Sequence, residues 1–341
     1  MIAYVPGEQP RDKAYVKLNT NESPFPASNG VVKAIDENRI QDLRLYSDPT
    51  CKALKNALAN AYNTEAKNIF VSNGSDEILN FAFMAYGEKG VVFADITYGF
   101  YSVYSELYGL DSEVVPLKDD FTLDVKGFTG KNKLVVIANP NAPTGLEISL
   151  QEVEEVLKSN SDGVVIIDEA YVDFGGTSCI DLTKKYKNLL CVHTFSKSRS
   201  MAGARLGFAI ADEEIISDLE KIKYSTNPYN VNSLTQIAGV SALADDDYYR
   251  DNAKKIIKNR EYTTLELKKL GFTVLDSKAN FVFAKTDKIS GENLYLKLKE
   301  KGVLVRHFTS ERIKDFNRIT IGSIDEMQIL IEKIKEILGE I

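Results

Sequence analysis

Between residues 69 and 210 the chain repeats one pattern, a short apolar run followed by a helical stretch, and nothing else in it constrains the fold as strongly. The runs lie at 69–71, 91–94, 134–138, 164–167, 189–192 and 207–210. Runs this short and this continuous are strands buried on both faces. Such strands, alternating with helices, pair mainly parallel and are covered by helices on both sides. The predicted class is α/β, with a large domain built on a mainly parallel sheet. No run approaches the ~18 apolar residues of a membrane helix, so no membrane span is expected.

The flanks differ in character. Residues 1–28 are rich in Pro and Asn and read as an extended arm, with helical patterns following at about 30–40 and 51–62. Long helical patterns at 231–244 and 246–270 precede strands near 281–283, 303–305 and 318–321 and an amphipathic C-terminal helix. This second part reads as a smaller α+β domain. At about 150 residues per domain, the 341 residues suggest two domains, laid out along the chain in three segments. Residues 1–45 form the arm and part of the small domain, 46–240 the large domain, and 241–341 the small domain. No Gly/Ser linker separates the domains, so a cleft between packed lobes is expected.

Composition removes several function classes. The 42 basic and 49 acidic side chains give a net charge of −7 with no basic run, so no nucleic-acid partner is expected. Cys51, Cys179 and Cys191 form no CxxC pair, and the two histidines, His193 and His307, have no partner at metal-ligand spacing. Neither a disulfide framework nor a metal site is predicted, and the compartment reads as reducing. His193, within an apolar strand, reads as a satisfied core residue, and His307 is given no role. The N-terminus lacks a basic segment followed by an apolar one, so a cytoplasmic location is expected. Neither G-x-G-x-x-G after a strand nor a P-loop signature occurs, which excludes dinucleotide enzymes and P-loop NTPases.

Four segments follow strands of the large domain, where open α/β sheets bind ligands. They are 73–77, 139–145, 168–171 and 196–205. Asp168 closes an apolar strand, and a carboxylate in that position needs a cationic or hydrogen-bonding partner. A protonated pyridine nitrogen would be such a partner. Lys197 follows another apolar strand, where its amine is placed to form a Schiff base with an aldehyde cofactor. Arg205, on the same segment, suits a phosphate. Gly74-Ser75-Asp76-Glu77 opens a helix whose free amides make an anion site, and Tyr98 suits stacking on a flat ring. Alone, each has an ordinary reading: a surface lysine, a helix cap, a packing tyrosine. Their conjunction on one run of strand ends favours chemistry.

The order and spacing of these segments closely resemble the fold-type I pyridoxal-phosphate aminotransferases along nearly the whole chain. Asp168-Glu169-Ala170-Tyr171, Ser196-Lys197 and Arg205 carry the cofactor part of the resemblance. Within that superfamily, 4–10 with 17–24, Leu45-Tyr46-Ser47-Asp48-Pro49, and 305–308 with 317–322 are similar to the histidinol-phosphate aminotransferase family. The resemblance implies pyridoxal 5′-phosphate as cofactor, with Lys197 as Schiff-base lysine and proton shuttle and Asp168 as partner of the pyridine nitrogen. It implies Tyr171 on the ring's 3′ oxygen, Tyr98 stacked on the ring, and the phosphate on the Ser75 and Asp76 amides, Ser196 and Arg205. Tyr46 would reach in from a neighbouring subunit, which makes the protein a homodimer. Arg306 and Arg318 would clamp the substrate's anionic end, with Asn21 and the neighbour's copy of Tyr4 assisting.

The implied reaction converts L-histidinol phosphate and 2-oxoglutarate into imidazole-acetol phosphate and L-glutamate by a ping-pong mechanism of histidine biosynthesis. A threonine-phosphate decarboxylase and an aromatic amino-acid aminotransferase share much of the pattern, and a non-catalytic cofactor-binding regulatory protein is the rival from another class. One departure stands out. The family has Asn immediately before Pro-Thr-Gly, bonded to the 3′ oxygen, and this chain has Ala142. Either Asn141 beside it takes over that contact or Tyr171 serves alone.

Overall fold

The computed structural model describes residues 4–340, and every apolar run forms a strand within it. The arm contributes β1 (Val16–Lys17). The run-bearing segment contributes β2 (Ile69–Ser72), β3 (Val91–Ala94), β4 (Ser112–Val115), β5 (Leu134–Ala138), β6 (Val165–Asp168), β7 (Leu189–Thr194) and β8 (Gly207–Ala211). The last seven form one sheet in the order β2-β8-β7-β6-β5-β3-β4. Pairing is parallel except at β8, which runs antiparallel to both β2 and β7. Every residue of β2, β3 and β5 to β8 is buried, as strands covered on both faces require. β4 escaped the sequence reading because Ser112 and Val114 are exposed, so it carries no apolar run.

The helices α1 (Asn29–Ala34), α2 (Glu37–Gln41), α3 (Lys52–Ala61), α4 (Ser75–Tyr86), α5 (Phe100–Tyr108), α6 (Leu150–Ser159), α7 (Glu213–Thr226) and α8 (Ser233–Ala244) surround this sheet in chain order. The apolar sides of α4, α5 and α7 share one buried cluster with one sheet face; those of α3, α6 and α8 share another with the opposite face. The single helical pattern expected at 30–40 is two helices, because the Asp36 side chain accepts from the Arg39 amide and caps a new start.

The remainder comprises α9 (Asp246–Lys269), β9 (Thr273–Val274), β10 (Phe281–Lys285), α10 (Gly291–Glu300), β11 (Val303–Leu304), β12 (Arg306–His307), β13 (Asn317–Thr320) and α11 (Ile324–Gly339). An antiparallel sheet runs β12-β13-β10-β9. β1 of the arm pairs in parallel with β11, so the two ends of the sequence meet in this part of the molecule.

His193 is buried on β7, as expected, with Nε2 3.0 Å from a Glu169 carboxylate oxygen. Ser178 Oγ and the Cys179 amide donate to the same carboxylate at 2.5 and 2.6 Å. Cys191 Sγ lies 3.4 Å from His193 Nε2 and 3.7 Å from Cys179 Sγ. Burial alone would raise Glu169, but these donors, His193 foremost, hold it below the usual carboxylate range.

Candidate active site

A cavity of about 760 Å³ opens where the carboxyl ends of the large sheet meet the arm and the β12–β13 pair. Asp168, the last residue of β6, lies at this edge with 5% exposure. Burial pushes its carboxyl up to about 6, opposed by the Tyr101 phenol donating to Oδ2 at 2.9 Å and the Ala170 amide donating to Oδ1 at 3.2 Å. A buried carboxylate held by neutral donors alone suits a cationic partner. Lys197, on the loop between β7 and β8, donates from Nζ to the Thr20 carbonyl at 3.2 Å and lies 5.8 Å from the Tyr171 ring centre. Tyr171 Oη accepts from Asn21 Nδ2 at 3.0 Å.

The N-terminal end of α4 forms the next wall. Gly74 precedes it at φ +82°, a conformation that favours glycine. A Cβ there would lie 2.5 Å from Arg205 Nη2. Arg205 donates to Asp76 Oδ2 at 3.0 Å and to Ser196 Oγ at 3.4 Å. Asp76 Oδ1 accepts from the Tyr98 phenol at 2.8 Å, and burial, with Asp76 beside it, raises that phenol well above its ordinary range. Helix amides, a guanidinium and a hydroxyl thus converge as an anion cradle.

Arg306 and Arg318 face one another in register across β12 and β13. Arg318 lies near the rings of Phe281 and Phe308, at 5.4 and 6.0 Å, and donates through Nη2 to the Asn19 carbonyl at 2.9 Å. Among the described residues its Nε is buried without a hydrogen-bond partner, and burial lowers its pKa. Arg306 donates to the Pro6 and Val5 carbonyls of the arm at 3.2 and 3.1 Å. Tyr4 stacks on Phe100 at 4.2 Å and meets Tyr98 edge-on at 6.3 Å. Burial raises its phenol, while Arg306 and Arg318 pull it down.

Tyr4, Asn21, Ser75, Asp76, Tyr98, Asp168, Tyr171, Ser196, Lys197, Arg205, Arg306 and Arg318 therefore line one cavity. Two placements differ from the sequence reading. Asn141 does not line it: Nδ2 donates to the Ile96 carbonyl and Thr144 Oγ1, and Oδ1 accepts from Thr97. With its carboxamide fully used in that turn, the geometry favours Tyr171 serving without Asn141. Tyr4, expected from a neighbouring subunit, lines the cavity of its own chain, where the arm is tied back to Arg306. Tyr46, expected at a neighbouring subunit's site, lies away from the cavity of its own chain, 83% exposed and stacked on Tyr229 at 4.5 Å.

Two features were missed. The Asp76 side chain, and not only its amide, belongs to the cradle. Tyr101, in the first turn of α5 and three residues after Tyr98, donates to Asp168 and was not singled out by the motifs.

The family model described as aminotransferase class I and II matches residues 13–334. A histidinol-phosphate aminotransferase of Brachyspira hyodysenteriae is 54% identical, covering 98% of this chain and 96% of that protein. One from Clostridium botulinum is 45% identical, covering 99% and 96%. Among solved structures, the histidinol-phosphate aminotransferase of Clostridium acetobutylicum superposes with a TM-score of 0.88 at 25% identity, covering 95% of this chain and 99% of that one. The Sinorhizobium meliloti enzyme, in complex with pyridoxal-5′-phosphate, gives 0.88 at 24% identity over 96% and 92%.

Proposed function

We propose that this chain, which belongs to the class I and II aminotransferases and within them to the histidinol-phosphate aminotransferase family, converts L-histidinol phosphate and 2-oxoglutarate into imidazole-acetol phosphate and L-glutamate. The observation that carries this reading is one cavity holding Lys197, Asp168 and the Arg306–Arg318 pair together. The family's cofactor is pyridoxal 5′-phosphate, and the residues present fit it. Gly74 leaves free the space beside Arg205 that a Cβ would fill, and Asp168 is a buried carboxylate suited to a ring cation. When bound, the cofactor supplies an aldehyde for the amino group and a ring that draws electrons from the substrate's α-carbon.

The chain's own residues do the rest. The Ser75 and Asp76 amides, Ser196 and Arg205 would hold the phosphate, a guanidinium and hydroxyl already turned to the N-terminal end of α4. Tyr98 packs on the ring, Tyr171 donates to the 3′ oxygen, and Asp168 keeps the ring nitrogen protonated. Lys197 Nζ, level with the Thr20 carbonyl, moves the proton of the substrate's α-carbon. Arg306 and Arg318 hold the substrate's oxyanion, carboxylate or phosphate, since a guanidinium fork accepts either bidentately.

The reading extends to a homodimer in which Tyr46 reaches the neighbouring site. Its support is the exposed apolar set Val32, Ile40, Leu43, Leu45 and Tyr46 on one short segment. It extends also to a cytoplasmic location and to lobes divided at about residues 45 and 240. Free Cys51, Cys179 and Cys191 support the first and the β1–β11 pairing the second. Among the described residues no helix is long and apolar enough to cross a membrane.

The test is the absorbance of the cofactor-loaded protein before and after adding L-histidinol phosphate without a keto acid. Conversion of the visible band to the near-ultraviolet band of the amine form is expected. An unchanged visible band would remove this substrate and direct the search to threonine phosphate and aromatic amino acids.

A further inference from the structure

We propose that Tyr101 is a positioning residue for Asp168, its phenol donating the hydrogen bond that keeps the carboxylate ionised and aimed into the cavity. The inference rests on the cofactor reading above, in which Asp168 faces a protonated ring nitrogen. Tyr101 is fully buried in the first turn of α5, with Oη 2.9 Å from Asp168 Oδ2. The Ala170 amide holds Oδ1 at 3.2 Å. Each oxygen thus takes one donor from the protein, which fixes the carboxylate plane and leaves acceptor capacity for a cation. The Tyr101 ring meets Tyr98 edge-on at 5.7 Å and 84°, and Phe93 at 6.3 Å, so the phenol cannot turn away without unpacking both.

Several other ionisable groups bear on Asp168. Asp76 on α4 disfavours its charge and His193 on β7 favours it. Tyr98, Tyr171 and Lys197 share the cavity wall with it. Tyr101 is the side chain that bonds to it directly. Hydrogen bonding to a buried carboxylate favours the ionised form, so loss of the phenol should move the Asp168 titration up by about one pH unit.

The test is Tyr101→Phe in the full-length chain, which removes one oxygen and keeps the ring. Asp168 titrates higher when folded than when unfolded, so its cost to stability is absent below the unfolded value, grows above it and is complete once the pH has risen past the folded value, which lies higher in the variant. In the cofactor-free chain, the gap in thermal midpoint between variant and wild type should therefore widen from about pH 5 to about pH 8. A gap constant over that range means a packing role only and overturns the proposal.

In the loaded protein, pyridoxal 5′-phosphate retention should weaken as the pH falls, with the midpoint about one pH unit higher in the variant than in wild type. Coincident midpoints overturn the proposal. Wild-type protein that binds no pyridoxal 5′-phosphate overturns the reading of the cavity instead, a result separable from the stability measurement. Should Tyr101→Phe not fold, adding Asp168→Asn removes the stranded charge. Folding restored by that second change supports the proposal, and a double variant still unfolded overturns it.

Discussion

Among the described residues Arg318 has no partner for its buried Nε, while it lies near Phe281 and Phe308 and donates through Nη2. A cation kept there by aromatic rings and one carbonyl is poised for an anion. Arg318→Ala should raise KM for histidinol phosphate and for glutamate by about 100-fold, the equivalent of ~3 kcal/mol for a truncated buried ionic contact, while cofactor affinity is unchanged. Steady-state kinetics with each substrate check this, and an unchanged KM for both removes the assignment. Glu169 makes the opposite case, a buried carboxylate whose partners are complete. Its folded pKa is depressed, so its stabilisation is present above the unfolded value and lost as the pH falls through the folded one. Glu169→Gln should cost ~1–3 kcal/mol at neutral pH, with the difference from wild type shrinking below about pH 4. Urea unfolding at a series of pH values measures it.

Among the elements, the junction before α4 is the most exacting. Gly74 at φ +82° directs the helix amides at the cradle, and its missing side chain admits Arg205. Gly74→Ala should destabilise by ~1–3 kcal/mol through backbone strain. It should also weaken cofactor binding about tenfold or more, because Arg205 must withdraw. Thermal melts and cofactor titration separate the two effects. The sheet was legible because strands such as β5 and β7 are apolar at nearly every position, a pattern that burial on both faces imposes. β4 was not, since Ser112 and Val114 face solvent and interrupt any apolar run. The cavity-lining residues were legible where a motif fixes them to a strand end, as with Asp168 and Lys197. Asn141 was misplaced because adjacency in sequence says nothing of which way a carboxamide turns, and Tyr101 was passed over because one tyrosine among 17 carries no label of its own.

For the whole molecule, the exposed apolar side chains on 32–46 are the feature a lone chain leaves uncovered, with Val32 at 65% and Leu43 at 51% exposure. A second copy related by a twofold axis would cover them and bring Tyr46 toward the neighbouring cavity. Leu43→Asp should shift sedimentation from dimer to monomer at micromolar concentration and lower cofactor affinity with it. Dimers persisting in that variant would exclude this face. The pairing of β1 with β11 has a further consequence, for the order of events during synthesis. Val16 must wait for Val303 to leave the ribosome before its strand is matched. At roughly 5–20 residues per second that interval is on the order of 15 to 60 seconds. By then the seven-stranded sheet can already have closed behind β8, so the wall that the arm gives to the cavity, and with it any activity, belongs to the last stage of a newborn chain's folding.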